Sequence, residues 1–292
     1  MGTGMLYFLL VLGMISWGMS WISAKLLTGI AEPEVLVFWR FFITWVTYIP
    51  VMYIIREKFS ISPKGLLTAA LTALLMVLYN EMFFTGLING LAGAGGVMVT
   101  TLVPILTFTI GCIITLKRPS LKDSLGLLLG FSGACIIMQI WHLDTAQLFK
   151  SGNVYFLIAA LTWATLTHLS TRARNYTSAY TFTFYLFLFT TVFDYILVYS
   201  KGMTISIPVD SNFIINMGLL AVGATTFGTT IYFLATAKLG GQKASSFIFL
   251  VPLIALIFSF LILDEPITLN TIIGGLSAIT AVYIINHRKR TA

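Results

Sequence analysis

The chain alternates between long apolar runs and short polar segments, and the runs have the length of membrane-spanning helices. A helix needs about 20 apolar residues to cross the hydrocarbon core of a bilayer. We therefore predict one span from the start of the chain to Lys25 and a second around Val35–Ile55, which holds Arg40. Later spans are predicted at Leu125–Ile140, Val154–Leu169, Ala179–Tyr199, Phe213–Ala237, Ala244–Leu263 and Leu269–Asn286.

The interval between Lys64 and Lys117 decides the number of helices. It holds 52 residues, and Glu81 is its one charged side chain. As a single helix it would be about 78 Å long at 1.5 Å per residue, far more than one crossing needs. It must fold back on itself, and the glycine-rich stretch at residues 89–96 marks the turn. The sequence thus predicts an all-α membrane protein of ten transmembrane helices.

Composition supports lipid as the surrounding solvent. Charged residues make up 9% of the chain, against about 25% in soluble domains, and apolar residues make up 58%. The net charge of +7 comes from short clusters between apolar runs, not from a patch on one face, so no nucleic-acid partner is expected. Cys112 and Cys135 fall inside apolar runs and are interpreted as small buried residues. No pattern of His and Cys indicates a metal or cofactor site.

The basic residues lie on alternate loops. If the N-terminus is inside, 13 Lys and Arg fall on cytoplasmic loops and the tail, and three fall outside. This excess follows the positive-inside rule and places both termini in the cytoplasm. The first apolar run, Leu6–Trp21, has no preceding basic residue and no cleavage site, so we predict that it is retained as a helix. The inner set is Arg56, Lys58, Lys64, Lys117, Arg118, Lys122, Arg172, Arg174, Lys238, Lys243, Arg288, Lys289 and Arg290, and the outer set is Lys25, Lys150 and Lys201.

Two segments of the chain align at an offset of 148 residues. Leu102–Gly126 and Leu250–Gly274 both begin with LVP and continue with an apolar stretch, a charged pair and a proline. We predict two repeats of five helices, residues 1–145 and 146–292, with no separate soluble domain. Chance recurrence of LVP in a leucine-rich membrane protein is the alternative.

The charged pairs of the two matching loops differ in sign. The first loop carries Lys117-Arg118 before its proline, and the second carries Asp264-Glu265. An odd number of spans per repeat forces the repeats into opposite orientations, and the positive-inside rule then makes the first loop cytoplasmic and the second external. Inverted repeats predict a substrate site near the membrane midplane and transport by alternating access.

Four motifs carry a resemblance to a known family. They are Trp17-Gly18, Arg40 within FWRFF, the run LAGAGGVMVTTLVPILT, and ATAKLGGQKASSFIFLVPLIALIFSFLILDEP, which is the most specific. At these motifs the chain resembles the EamA-type proteins of the drug/metabolite transporter superfamily over essentially its full length. The resemblance implies ten helices in two inverted repeats, and export or exchange of small metabolites across a bacterial inner membrane. The family includes exporters of amino acids, aromatic ones among them, and carriers of other solutes, so the cargo stays open. The chain departs from the pattern at Lys117-Arg118-Pro119, where an acidic residue is more usual.

Glu81 is the main candidate for a functional charge. An ionisable side chain inside a span costs about 2.5–3.5 kcal/mol on insertion scales and normally faces a cavity or a partner. With Tyr79 and Asn80 it forms a polar step that is predicted to contact a substrate ammonium or to couple a proton; the alternative is a position near the outer end of the helix, in reach of water. At the repeat offset, Gly228 and Thr229 match Asn80 and Glu81. The hydroxyl of Thr229 either lines a polar path for the substrate or contributes to helix packing, and the sequence favours neither alternative.

Aromatic residues supply the second set of candidates. Trp17 and Trp163 occupy matching places in spans one and six, and Trp21 follows Trp17 by one turn. They are predicted to form the aromatic wall of a substrate cavity, and a belt at the membrane surface is the alternative. Tyr232 lies three residues after Thr229 and is predicted to share its face.

Arg40 and Asp194 are candidates for coupling or for ion pairs. Arg40 either binds an anionic group such as a carboxylate, or pairs with Glu32 or Glu34, or extends to the outer surface. We favour the structural roles for it. Asp194, near the outer end of span seven, is open to the same two interpretations.

Pro104 and Pro252 occupy equivalent places inside spans four and nine. A proline within a helix kinks it and leaves a carbonyl without its usual partner. The pair are candidate hinges for alternating access, and a static kink is the alternative.

These features favour a secondary transporter with no catalytic residue. The sequence has no Walker A pattern, which argues against an ATP-driven pump. A lipid-active membrane enzyme would gather several ionisable residues at one surface, whereas Arg40, Glu81 and Asp194 are expected to lie far apart. A channel or lipid flippase is the third alternative. We expect a small-molecule substrate, a lipid environment, a bacterial inner membrane location and a monomer or homodimer.

Overall fold

The computed structural model describes residues 2–116, 118, 120–139, 141 and 152–286, and every regular element within them is helical. The helices of this part of the chain, in order, are α1 (Thr3–Leu27), α2 (Pro33–Ile55), α3 (Pro63–Asn89), α4 (Ala92–Thr115), α5 (Leu121–Met138), α6 (Asn153–Ala173), α7 (Ala179–Ser200), α8 (Ser211–Leu239), α9 (241–263) and α10 (Leu269–Asn286).

Eight of these helices are long and apolar enough to cross a membrane. The apolar parts of α5 and α10 are shorter, at Ser124–Ile137 and Leu269–Ala281. A chain in lipid must satisfy its backbone polar groups internally, which long helices do. The predicted all-α membrane class is therefore supported, and ten crossings with cytoplasmic termini stay a prediction.

Several predicted features lie outside the described residues. They are the boundary between the halves at residues 145 and 146, the last residue of the predicted fifth span, Ile140, the loop proline Pro119, and the basic residues Lys117, Lys150, Arg288, Lys289 and Arg290.

Polar residues just before a helix fix where it begins. The hydroxyl of Ser62 accepts a hydrogen bond from the N–H of Gly65 at 3.1 Å, and Pro63 takes the first helical position of α3. The Asp210 carboxylate accepts from the N–H of Phe213 at 2.7 Å and starts α8 in the same way. These bonds satisfy amide groups that have no partner within the first turn.

The long interval folds back between α3 and α4, as the sequence predicts. α3 ends at Asn89 and α4 begins at Ala92, so the turn is two residues long and starts at Gly90. The later glycines of the stretch lie inside α4. They allow close packing there: a Cβ on Gly96 would lie 2.6 Å from the Cβ of Ala255 in α9.

Charged side chains from both halves hold the α3–α4 turn. The ammonium of Lys25, in α1, donates to the carbonyl oxygen of Gly90 at 2.8 Å, where α3 ends. The carboxylate of Glu265, just after α9, accepts from the N–H groups of Ala92 and Gly93 at 2.8 Å each, where α4 begins. A cation at a helix C-terminus and an anion at a helix N-terminus are both favourable placements.

Helices five places apart in the order run in opposite directions. Lys25 brings the end of α1 to the α3–α4 turn, and Gly152 brings the start of α6 against the backbone of Gly90 in the same turn. Lys201, just after α7, pairs with Glu34 in the first turn of α2. The contact from Glu265 likewise places the end of α9 at the start of α4. The pairs α1/α6, α2/α7 and α4/α9 are therefore antiparallel.

The other ends of the helices meet on the far side of the molecule. Ser62, before α3, donates to the carbonyl oxygen of Tyr176 at 3.1 Å, and Arg174 reaches the carbonyl oxygen of Ala237 near the end of α8 at 3.4 Å. We call this side the basic end, and the side of the α3–α4 turn the opposite end. The described basic residues at the basic end include Arg56, Lys58, Lys64, Arg172, Arg174, Lys238 and Lys243.

The most extensive helix–helix contacts keep their pattern when each helix is exchanged with the one five places away. α1 packs on α8 and α9, and α6 packs on α3 and α4. α3 packs on α7, and α8 packs on α2. The pairs α2/α7, α4/α9 and α5/α10 pack on each other. These contacts have the exchange pattern expected of two halves with the same order of helices.

Phe156 locks α6 into α3, which makes Gly86 sensitive to added volume. A Cβ on Gly86 would lie 2.5 Å from the ring of Phe156, and Gly95 of α4 leaves the ring no room on its other side. We expect Gly86→Ala to destabilise the protein by about 1–3 kcal/mol, seen as a lower midpoint of thermal unfolding in detergent. The control is Gly223→Ala, because a Cβ there meets no atom within 4 Å. An equal effect of both variants would contradict the packing argument.

The two hydrogen bonds that the Glu265 carboxylate accepts at the start of α4, which we call the Glu265 clamp, can also be tested. We expect Glu265→Gln to lower the free energy of unfolding by about 1–3 kcal/mol, because an amide cannot accept both N–H groups with a full charge. Asp264→Asn is the matched control, since Asp264 is an exposed neighbour that undergoes the same loss of charge. Thermal unfolding in detergent measures both, and an unchanged midpoint for Glu265→Gln would show that the clamp does not stabilise the fold.

Candidate functional site

A small cavity lies in the middle of the bundle, between the two halves of the chain. Its walls come from α1, α2, α3 and α4 and from α6, α8 and α9. Its volume of about 30 Å³ is roughly the space of one water molecule. The described residues contain no group of His, Cys, Asp and Glu that could hold a metal ion.

Aromatic rings form most of the wall. Trp17 and Trp163, the repeat-equivalent pair, meet edge to face with ring centroids 5.1 Å apart. Tyr79 lies 4.6 Å from Trp163, and Trp21 lies 4.6 Å from Phe83. The structure thus places both tryptophans of the pair at the cavity and not at a membrane surface.

Trp17 is held in place by a break in the regular helix of α8. Residues Leu219–Thr229 form a π-helix, and within it the carbonyl oxygen of Ala224 accepts a hydrogen bond from Trp17 Nε1 at 2.9 Å. A Cβ on Gly228 would lie 2.8 Å from the same nitrogen, so glycine lets the ring approach the backbone. π-helical turns within α-helices are frequent at functional sites.

The same segment supplies two threonines to the site. Thr229 lines the cavity, and Thr225 accepts a hydrogen bond from Arg40. Each hydroxyl donates to the carbonyl five residues earlier, of Leu220 for Thr225 and Ala224 for Thr229. The π-helical turn therefore gives each hydroxyl a carbonyl acceptor and also fixes its orientation.

Arg40 lines the cavity and is deeply buried, with 7% of its surface exposed. Its Nε donates to Thr225 Oγ1 at 2.9 Å, and its Nη1 donates to Asn80 Oδ1 at 2.8 Å. Among the described residues no carboxylate lies within ion-pair distance of it. The guanidinium is thus bonded to neutral groups and faces a cavity.

The expectation that Arg40 pairs with Glu32 or Glu34, or extends to the surface, was wrong. Glu34 pairs with Lys201 instead, and this hydrogen bond holds the pKa of the Lys201 ammonium above its usual value. α2 begins at the opposite end with Glu34 and turns Arg40 inward toward α3 and α8.

The three neighbouring polar residues of α3, Tyr79, Asn80 and Glu81, lie in different surroundings. Tyr79 lines the cavity, whereas Asn80 is fully buried beside it and donates from Nδ2 to the carbonyl oxygen of Met76 at 2.8 Å. Glu81 is partly buried and does not line the cavity. Successive helical residues point about 100° apart, so three in a row cannot share one face.

Tyr232 stands behind the aromatic wall and not on it. Its ring packs on Trp17 and Trp163 with centroid distances of 5.1 and 5.9 Å, and its hydroxyl bonds with that of Thr167 at 2.8 Å. Thr229 lines the cavity and Tyr232 does not. Tyr232 supports the two tryptophans from the second half.

Several wall residues were not singled out from the sequence. Four of them form two pairs at the repeat offset, and each pair lies beside a predicted hinge proline: Val103 and Val251 directly precede Pro104 and Pro252, and Thr100 and Ile248 lie one turn earlier. The offset could have found them. Ser20, Phe83 and Val99 complete the wall and follow from no sequence pattern.

Comparison with known proteins agrees with this architecture. The profile of the EamA-like transporter family matches the chain twice, at residues 4–139 and 150–287. The uncharacterized transporter YoaV of Bacillus subtilis (strain 168) is 28% identical over 291 residues, which covers 94% of this chain and 95% of the relative. An uncharacterized transporter of Archaeoglobus fulgidus is 23% identical over 97% of this chain and 98% of its own length.

One solved crystal structure superposes with a TM-score of 0.71 over 98% of this chain and 97% of its own, at 14% identity. At that identity the likeness shows the fold alone. The family match covers nearly the whole chain, and the relatives carry the name of transporter, which points to transport and not to an enzyme. The chain therefore belongs to the EamA-like transporter family, within the drug/metabolite transporter superfamily.

Proposed function

We propose that the protein is a secondary transporter of small carboxylate-bearing metabolites, with amino acids, aromatic ones in particular, as the substrate class. The observation that supports this most directly is Arg40, a buried guanidinium that faces an aromatic cavity and is bonded only to neutral groups. A planar guanidinium binds a carboxylate in a fork of two hydrogen bonds. Aromatic walls suit a ring or an aliphatic ammonium.

The substrate would bind between Arg40 and the tryptophans. Nη2 of Arg40 donates no hydrogen bond to a described residue, which leaves it for a carboxylate of the substrate. Trp17, Trp163 and Tyr79 would pack on the rest of the molecule. Thr229 adds a hydroxyl to the same wall.

The transport cycle we propose is alternating access by two inverted repeats. The antiparallel helix pairs, the exchange symmetry of the packing and the double family match all support it. The cavity has about the volume of one water molecule, whereas ligand pockets are about 300–1,000 Å³. A cavity of this volume is too small for a metabolite, so we propose that loading requires α4 and α9 to move, with Pro104 and Pro252 as the hinges. Export or exchange is the proposed direction.

The setting we propose is a bacterial inner membrane, with ten crossings and the basic end in the cytoplasm. The asymmetry of charge between the two ends supports this orientation. The walls of the cavity come from one chain, so a monomer can carry the complete site, and a homodimer would contain two.

Transport of carboxylates should depend on Arg40. We expect counterflow of labelled aromatic amino acids into proteoliposomes to be saturable, and Arg40→Gln to raise KM at least tenfold for them, because a charge-assisted bond contributes about 1.5–3 kcal/mol. Aromatic amines without a carboxylate, tested alongside, should show no such change.

Arg172→Gln is the matched control, since Arg172 is exposed at the basic end. Equal sensitivity of acids and amines to Arg40→Gln would contradict carboxylate recognition. No saturable counterflow of any tested amino acid or aromatic acid would contradict the proposed substrate class.

The orientation can be tested with two serines in exposed loops. In a chain with Cys112→Ala and Cys135→Ala, we expect Ser206→Cys at the opposite end to react with a membrane-impermeant maleimide on intact cells. Ser60→Cys at the basic end should react only after the membrane is permeabilised. The reverse pattern would place the basic end outside.

A further inference from the structure

Two carboxyl groups lie off the cavity wall, Asp194 within electrostatic range of Arg40 and Glu81 within electrostatic range of Asp194. Asp194 of α7 is fully buried, and neither of its oxygens has a hydrogen-bond partner among the described residues. Glu81 of α3 is partly buried, and its Oε1 also lacks a partner among them. An ionised carboxylate in such a place costs several kcal/mol unless a charge compensates it. The arrangement therefore needs an explanation.

The three charged groups lie at one depth on three neighbouring helices. Arg40 is seven residues from the start of α2, Glu81 eight from the end of α3, and Asp194 six from the end of α7. At 1.5 Å per residue each is about 9–12 Å below the opposite end. α7 packs on both α2 and α3, so the expectation that these residues lie far apart was wrong.

Asp194 has few charged neighbours. From α2 it faces Arg40, and from α3 it faces Glu81, while α6 and α8 supply no charged group to its surroundings in the described structure. Glu81 in turn lies within electrostatic range of the Glu34–Lys201 ion pair at the opposite end. The one cation that compensates Asp194 is thus the guanidinium that also faces the cavity, where Tyr79 is its other ionisable neighbour.

We propose that Asp194 and Glu81 form a proton-binding site that Arg40 links to the substrate site, so that a proton and a carboxylate substrate are carried together. This rests on the proposed function. When a substrate carboxylate pairs with Arg40, the positive charge no longer compensates Asp194. Asp194 then takes a proton from water and forms an O–H bond. The substrate carboxylate brings one negative charge and the proton one positive charge, and the ammonium of an amino acid adds a second positive charge.

Release reverses these steps. When the substrate leaves, the uncompensated guanidinium again stabilises the carboxylate, and the proton returns to water. Glu81, partly buried near the Glu34–Lys201 pair, is the group through which the proton exchanges with water at the opposite end, and on the other side of the membrane the proton leaves together with the substrate. By linkage, protonation of the pair strengthens substrate binding by the same factor that substrate binding strengthens protonation.

The sign of the coupling follows from where the carboxyls lie. For antiport a substrate ammonium would have to displace the proton from the carboxyl itself. Asp194 is fully buried, and neither it nor Glu81 lines the cavity, so direct competition is excluded in this arrangement. An inward proton gradient then favours uptake, and export runs on the outward gradient of the substrate.

Proton flux in proteoliposomes tests the linkage. Vesicles loaded with L-phenylalanine or L-tryptophan and a trapped pH dye are diluted into substrate-free buffer, and efflux should make the lumen more alkaline until a protonophore is added. The number of protons moved per substrate molecule should fall at least fivefold in Asp194→Asn. Glu32→Gln, which removes an exposed carboxylate at the same end, should leave that number unchanged.

A second measurement does not depend on the substrate. Arg40→Gln removes the compensating charge, so its infrared spectrum at neutral pH should gain a protonated carboxyl band relative to the parent protein. The band should be absent from the double variant Arg40→Gln/Asp194→Asn and from the control Arg172→Gln.

The outcomes separate the two proposals. Counterflow of no tested compound contradicts the proposed function. Saturable counterflow without proton movement, or Arg40→Gln without an added carboxyl band, overturns the proton linkage while leaving the proposed function in place.

Discussion

The burial of the Arg40 charge is the constraint on which the central arrangement depends. A guanidinium in the middle of a membrane bundle must have hydrogen-bond acceptors, and this one takes them from Asn80 on α3 and Thr225 on α8. These two helices are equivalents in the two halves. The arginine therefore joins the halves at the level of the cavity, and the choice of neutral acceptors leaves its charge for an anion or for the nearby carboxyl of Asp194.

Small residues make the rest of that arrangement possible. Gly228 lets Trp17 reach the backbone of α8, Gly86 and Gly95 accept the ring of Phe156, and Gly96 brings α4 against α9. In lipid, association between helices depends on close packing more than on the hydrophobic effect. The contacts between the two halves of the chain are consequently specific in shape, and their apolar character alone would not define them.

The family model matches both halves, yet the two halves differ in chemistry. The positions that match across the repeat offset include Thr100 with Ile248 and Glu81 with Thr229, so one partner is polar where the other is not or differs in charge. The π-helix in α8 occurs where α3 is a regular α-helix. This asymmetry gathers the ionisable groups on the side of α2, α3 and α7. The aromatic wall of the cavity and the two carboxyls are therefore separate, and Arg40 lines the cavity within electrostatic range of Asp194.

The sequence by itself determined the class of protein, the fold-back, the offset between the halves and the family, because each depends on local hydrophobic runs and on motifs. It also placed Trp17 and Trp163 among the cavity candidates through the repeat offset, and Tyr79 through its position beside Asn80 and Glu81. Only the tertiary structure decided that Arg40 faces inward and that Asp194 lies beside it. Those facts depend on the rotation of each helix about its axis. A helix that is apolar on all sides has little amphipathic pattern from which that rotation could be predicted.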